Sequence, residues 1–377
     1  RACVVVTDDF PAFFLPGMVA SAARRMPVRV EEVDSNGLLP MRAADRVFPT
    51  AFAFRRFLQK HLPDHLIELP KDDPFRGARL PGLDALTQEI RGRWPAVSAE
   101  LLNGRRGTLS SFPIDHRVGM VKRPGGSAEA RKTCRVFLEE KLPGYEEGRN
   151  QPELEATSGL SPYLHFGHIS VHEIFHGIME REGWFFDRLS PKATGSRSGW
   201  WGMSAPGEAF LDQLVTWREL GFNMCSKRED HDRYESLPPW ALATLKAHEK
   251  DKRRYLYSLE EFEQGRTHDP LWNAAQMQLV GEGFIHNYLR MLWGKKILEW
   301  SASPCKALDV MIELNNRYAL DGRDPNSCSG IFWVLGRYDR AWGPERAIFG
   351  KIRYMSSENT ARKVSVKNYI RRYGALA

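Results

Sequence analysis

The stretch from His268 to Trp300, HDPLWNAAQMQLVGEGFIHNYLRMLWGKKILEW, reads as one helical hairpin carrying three tryptophans, Trp272, Trp293 and Trp300. Trp293 and Trp300 stand seven positions apart, close to two helical turns, so they project from the same side of one helix. Core packing is the ordinary use of so large an apolar ring. A relay of oxidisable rings leading to a buried redox cofactor is the other reading. The surrounding sequence has to decide between them.

The chain has 377 residues, enough for one large or two ordinary domains with a substantial core. A hydrophobic content of 42% with 27% charged residues is that of a globular protein. The formal net charge of +7, without a polybasic tail, suits an anionic partner such as nucleic acid. No run approaches the length of a membrane span, and the opening residues do not read as a signal peptide. The cysteines at 3, 134, 225, 305 and 328 are odd in number and form no CxxC pair. A reduced intracellular protein, cytoplasmic or nucleoid-associated, is the expectation.

The opening RACVVVTDDF is a β-branched run ending in two acids, which predicts a buried strand of an α/β unit. A helical stretch, FFLPGMVASAARRM, follows despite Pro16 and Gly17, and VRVEEVDSNG predicts a second strand closed by a turn. Two strands and a crossover are too few for a stable parallel sheet, so a fragment lacking the first strands is expected. A helix is predicted from Phe48 to His61, and a Pro- and Arg-punctuated connector ends in KRPGGS. The fold class is therefore an incomplete, Rossmann-like α/β domain over 1–62, a linker over 63–125, and a large all-α domain over 126–377.

His172-Glu173-Ile174-Phe175-His176 spells HExxH, with His168 a turn back, and two histidines at i and i+4 share a helix face. Ser170 stands three residues before Glu173, however, which reads as a capping box, and no third ligand is indicated, so no metal is expected. Upstream, TSGLS at 157–161 places three hydroxyls and a glycine before a helical segment, a turn that can cradle phosphate. Neither a Walker A nor a GxGxxG pattern is present.

Five blocks then occur in order: TSGLSPYLHFG, FLDQLVTWRELGFN (Phe210 to Asn223), HDPLWNAAQMQLV, ALDGRDPN (Ala319 to Asn326) and FGKIRYM (Phe349 to Met355). Together they resemble the photolyase/cryptochrome family, and specifically its class II cyclobutane pyrimidine dimer photolyases, over essentially the whole chain. The resemblance implies FAD, folded into a U within the helical domain. It places Tyr145, Thr157, Ser158, Gly159, Leu160, Ser161 and Asp324 at the cofactor, Arg290 and Asp321 as an ion pair beside the flavin ring, and Asn315 at its N5 edge. A positive Arg290 suits a ring that must be stable as a reduced anion.

By the same resemblance, Trp293 is nearest the flavin, Trp272 is the middle member and Trp300 the exposed end of an electron relay, with Lys295-Lys296 marking a solvated flank. Trp217 and Trp333 match two aromatic walls of a pocket for a flipped dimer, with Met291 beside them. Arg353 matches an arginine that enters the space the dimer vacates, within a basic segment that includes Lys351. Where many relatives carry a glutamate, this chain has Asp212-Gln213, and a glutamine donates a hydrogen bond without supplying a proton. Glu219 is expected to be structural, paired with an arginine.

The implied activity is light-driven repair of UV-damaged DNA: reduced FAD passes an electron to a cyclobutane dimer, the ring splits and the electron returns. A monomer without membrane attachment is expected, with a deazaflavin antenna as a further chromophore. A cryptochrome-like photoreceptor and a (6-4) photolyase are the alternatives, the latter because it too carries a glutamine near this place.

Overall fold

The computed structural model describes residues 3–71, 73–79, 82, 85–104 and 107–374. It divides into two units, one made of Arg1–Leu69 with Val121–Ala377 and the other of Pro70–Met120. The second unit holds two short helices, Gln88–Arg93 and Ala99–Leu102, each capped by the hydroxyl of the residue before it, Thr87 and Ser98.

In the first unit, β1 (Val4–Asp8) and β2 (Arg29–Val33) pair in parallel from Val4 opposite Arg29 to Asp8 opposite Val33, joined by helix α1 (Leu15–Ala23). Pro16 falls in the first turn of α1, where its missing N–H costs nothing, so it starts the helix rather than breaking it. The strand expected to be buried is not: Val4 and Val6 are 42% and 59% exposed. Two strands and one crossover supply too little surface to cover them.

The segment after β2 is fastened to the helical body by side chains that accept from its backbone. The Glu219 carboxylate takes the N–H groups of Leu38 at 2.7 Å and Leu39 at 3.2 Å, and the Asn223 amide oxygen takes that of Phe48 at 3.2 Å. Burial pushes the Glu219 carboxyl up to about 8. Its partners are thus backbone amides, while the neighbouring Arg218 donates to the Asn36 carbonyl instead of pairing with it. Helix α2 (Ala51–His61), capped by Thr50, follows and buries Phe54 and Leu58.

The rest is helical. The opening hairpin is present: the helix Pro270–Glu282 is capped by Asp269, stops at Gly283 in the left-handed conformation (φ 70°), and is followed by the helix Asn287–Trp300. The helices Arg218–Lys227 and Pro325–Val334 pack closely at Gly221, where a Cβ would lie 2.7 Å from the Pro325 carbonyl oxygen. A wider, π-helical turn spans Asp212–Trp217 and runs directly into Arg218–Lys227. Among the described residues no helix is long and apolar enough to cross a membrane.

Candidate functional site

A cavity of about 240 Å³ is lined by Tyr145, Thr157, Ser158, Gly159, Leu160, Ser161, Arg290 and Asp321, all of them expected cofactor residues. Gly159 has φ +67°, and its carbonyl accepts from Arg123 Nη1 at 2.9 Å. Ser161 Oγ donates to Asp321 Oδ2 at 2.6 Å, and Asp321 Oδ1 lies 3.8 Å from Arg290 Nη2. The helix that Ser161 opens ends at His165, little more than one turn, so its dipole adds little here. Cationic side chains take its place: Arg123 and Arg149, absent from the expected set, also line the cavity. Three guanidinium groups face one carboxylate, and that donor set fits an anionic diphosphate beside a polar ring.

Asn315 and Asp324 do not line this cavity. Asp324 caps the helix Pro325–Val334, accepting from Asn326 N at 2.8 Å, and meets His165 Nδ1 at 3.3 Å. Asn315 is 4% exposed and donates to Ser327 Oγ at 2.9 Å and Asn316 Oδ1 at 3.2 Å. Both amide and carboxylate are consumed by local structure.

A larger cleft of about 1,040 Å³ adjoins it, and Arg149, Gln213, Trp217, Arg290 and Trp333 line both. Met291 and Arg353 line the larger one. Lys351 does not; its ammonium lies 3.4 Å from Glu345, and its backbone N–H donates to Thr244. Trp217 and Trp333 stack with ring centroids 4.5 Å apart and planes 15° from parallel. Gln213 and Trp217 both belong to the π-helical turn, a feature that re-aims side chains at functional sites.

The structure also says which of Asp212 and Gln213 meets the smaller cavity. Asp212 is held in a buried ion pair by Arg55 Nε at 2.7 Å, with side-chain exposures of 9% and 6%. Arg55 Nη1 reaches the Gly195 carbonyl at 3.2 Å, so α2, the Gly195 loop and the π-turn meet at this pair. Gln213 is the residue on both linings.

The three tryptophans are buried. Trp272 Nε1 donates to the Trp293 carbonyl at 3.0 Å, Trp293 Nε1 to Gln276 at 2.9 Å, and the Trp272 and Trp300 rings meet edge-on at 5.9 Å. Two expectations need correction. Trp300 is 2% exposed, so it is not a solvent-facing end; His268, Tyr257 and the Lys296 ammonium cover it at 4.9, 5.7 and 5.2 Å. Nor does Lys295-Lys296 mark a solvated flank. Lys295 is 1% exposed and donates to the Val334 carbonyl, while Lys296 pairs with Glu299 at 2.9 Å. The helix is packed on nearly every side, which turns its lysines inward.

The HExxH residues are spread over separate partners. Ser170 Oγ accepts from Glu173 N at 3.0 Å, but the Glu173 carboxylate pairs with Arg131 at 2.7 Å and leaves the expected capping box half-formed. His168 Nδ1 accepts from Gly126 N. Among the described residues no group of three or more His, Cys, Asp or Glu side chains is arranged to hold a metal ion.

No protein-family model matches the chain. Curated proteins do. The chain is 35% identical over 378 residues to the deoxyribodipyrimidine photo-lyase of Methanothermobacter thermautotrophicus, covering 100% of this chain and 75% of that protein. The chain belongs to the deoxyribodipyrimidine photo-lyase family. Its identity is 35% over 376 residues to the photo-lyase of Potorous tridactylus and 35% over 359 residues to that of Arabidopsis thaliana. These alignments take in 98% and 90% of this chain but 63% and 64% of those proteins, less than two thirds of their length. Among solved structures, a bacterial class III photolyase from Agrobacterium tumefaciens matches with a TM-score of 0.62 over 99% of this chain and 68% of its own. At 17% identity that match speaks for the fold alone: the small parallel sheet followed by a mostly helical body is a photo-lyase fold. Membership of the photo-lyase family implies an FAD cofactor and the lyase chemistry of DNA repair.

Proposed function

We propose that the chain is a class II photo-lyase that splits cyclobutane pyrimidine dimers in UV-damaged DNA under blue or near-ultraviolet light. FAD takes the smaller cavity and the flipped dimer the larger. The observation that carries this reading is the shared wall: Gln213, Trp217, Arg290 and Trp333 line both spaces, so a redox ring in one and a lesion in the other would share one boundary. The blocks HDPLWNAAQ, KKILEW and DGRDPN support class II.

Bound and reduced, FAD supplies the light-excited electron donor. The protein's own residues do the rest. Thr157, Ser158, Ser161 and the surrounding arginines would hold the diphosphate and Arg290 would favour an anionic ring, while Asn315 would have to give up its bonds to Ser327 and Asn316 to reach that ring. Trp217 and Trp333 give the unstacked bases flat apolar partners, with Met291 beside them, while Arg353 and Lys351 act on the DNA. Trp293, Trp272 and Trp300 carry electrons towards an oxidised flavin. The protein works as a monomer inside the cell, and a deazaflavin antenna is compatible with the α/β unit.

A second reading, repair of (6-4) products, is favoured by one feature: the residue on both linings is Gln213, and the family's (6-4) photolyases too carry a glutamine near this place. The deciding experiment illuminates chemically reduced protein with oligonucleotides bearing one thymine dimer or one (6-4) product. Light-dependent recovery of thymine absorbance from the dimer establishes the first reading. Recovery from the (6-4) product alone establishes the second, and recovery from neither, with FAD bound and reduced, overturns both and leaves a photosensor.

A further inference from the structure

Outside the linings of both cavities, two cysteines on packed helices lie near a buried cation. Cys225 lies on Arg218–Lys227, the helix that continues from Trp217, and Cys328 lies on Pro325–Val334, the helix that carries Trp333. The close packing at Gly221 brings these helices together, with Cys225 four residues on from Gly221 and Cys328 three on from Pro325, about one turn beyond that contact on each helix, and the two thiols are near enough to shift each other's titration. Both cysteines are free. Cys225 is buried and Cys328 is half-buried, so the second is the more open of the two residues.

Arg337 completes the cluster. Its Nη2 donates to the His231 carbonyl at 2.8 Å, the same oxygen that Cys328 Sγ approaches at 3.9 Å, and also to Ser236 Oγ. The residue is 2% exposed, its guanidinium lies 3.8 Å from the Phe332 ring centre, and among the described residues its Nε and Nη1 have no hydrogen-bond partner. A buried cation with two idle donors is costly unless a negative charge comes near it. Hydrogen bonding from Cys225 and the positive charge of Arg337 hold the Cys328 thiol below its ordinary range, whereas Cys225 is raised well above it. Cys134, raised by burial and by the charge of Glu173, is pushed up to about 11.

We infer that Cys225 and Cys328 form a peroxide-sensitive dithiol, in which Cys328 is the attacking thiolate, Cys225 the resolving thiol and Arg337 the group that holds the charge. The Cys328 thiolate attacks hydrogen peroxide: an S–O bond forms, the O–O bond breaks and hydroxide leaves. The Cys225 sulfur then attacks the resulting sulfenic acid, forming S–S and breaking S–O, and the thiol proton departs with the oxygen as water. Overall two thiols lose two electrons and two protons, and one peroxide becomes two waters. The bond ties together the helices that carry Trp217 and Trp333.

The test treats the reduced full-length chain with hydrogen peroxide and maps its cysteines by alkylation and non-reducing mass spectrometry. The expected product is a Cys225–Cys328 cross-link, two hydrogens lighter than the dithiol and restored by a thiol reductant. Cys225→Ser is expected to stop at a Cys328 sulfenic acid that dimedone traps, and Cys328→Ser to leave Cys225 unmodified. On the untreated wild type, which requires no variant to fold, Cys328 is expected to alkylate with iodoacetamide at neutral pH severalfold faster than the exposed Cys305. The inference is overturned if Cys328 stays alkylatable after peroxide, if cross-links form only through Cys3 or Cys305, or if Cys328 alkylates no faster than Cys305.

Discussion

Trp217 and Trp333 stack on each other, 4.5 Å between ring centroids and 15° between planes, at the boundary shared by the two cavities. Rings this close have no room for a base between their inner faces. A flipped base therefore stacks on an outer face or parts the pair.

On the proposed reading, either way makes each ring a partner for the lesion. Trp217→Ala and Trp333→Ala are each expected to weaken dark binding of dimer-containing DNA by about 1–3 kcal/mol, the usual worth of one base–aromatic stack. Binding of undamaged duplex should barely change. Fluorescence anisotropy with damaged and undamaged oligonucleotides reads the difference.

Electron supply and repair should separate. Trp293→Phe is expected to abolish photoreduction of oxidised FAD and to leave repair by chemically reduced protein intact, because the relay acts before repair begins. Trp272→Phe and Trp300→Phe should behave alike. Flavin absorbance under illumination, followed beside the repair assay, checks both halves.

The Arg55–Asp212 pair holds the π-turn that presents Gln213 and Trp217. Both side chains are buried, and among the described residues Arg55 Nη2 already has no hydrogen-bond partner. Asp212→Ala leaves the guanidinium uncompensated and should cost about 3–5 kcal/mol, while the double variant Arg55→Met with Asp212→Leu should recover much of that loss. Urea denaturation at constant m-value measures it.

Burial lowers the Lys295 ammonium to about 7 from the ordinary lysine value of 10.5. Between those values the unfolded chain holds a proton that the folded chain has released, so stability from this residue rises with pH across that window. Below about 7 both states are protonated, and the full cost of a buried charge remains. Lys295→Met is therefore expected to raise the melting temperature most at pH 6–7 and to flatten its rise towards pH 9, as calorimetry over that range would show.

The hairpin was legible because its signals are local: a glycine between two apolar stretches and a Pro one residue after an Asp cap. So was the hydroxyl-rich turn at 157–161, whose composition announces it. Lys295 and Lys296 misled because charge reads as solvent exposure, whereas a helix packed on most sides turns its lysines inward. Asn315 was assigned to the cofactor by position, but only coordinates show that Ser327 and Asn316 occupy its amide. Arg123 sits in what reads as a connector, and its reach to Gly159 spans distant parts of the sequence. The π-turn has no residue signature at all.

That turn has a consequence for how this scaffold can change. A π-helical turn holds one residue more than the α-helical turn it replaces, so it behaves as a stored insertion. Deleting Val215 would let Asp212–Trp217 rewind into regular helix while the helices on either side stay nearly in register, because only the turn's extra residue is lost. A single-codon deletion would thus remove the local widening that presents Gln213 and Trp217 without replacing either side chain and without disturbing the helices beyond it, a change that point substitution does not reach.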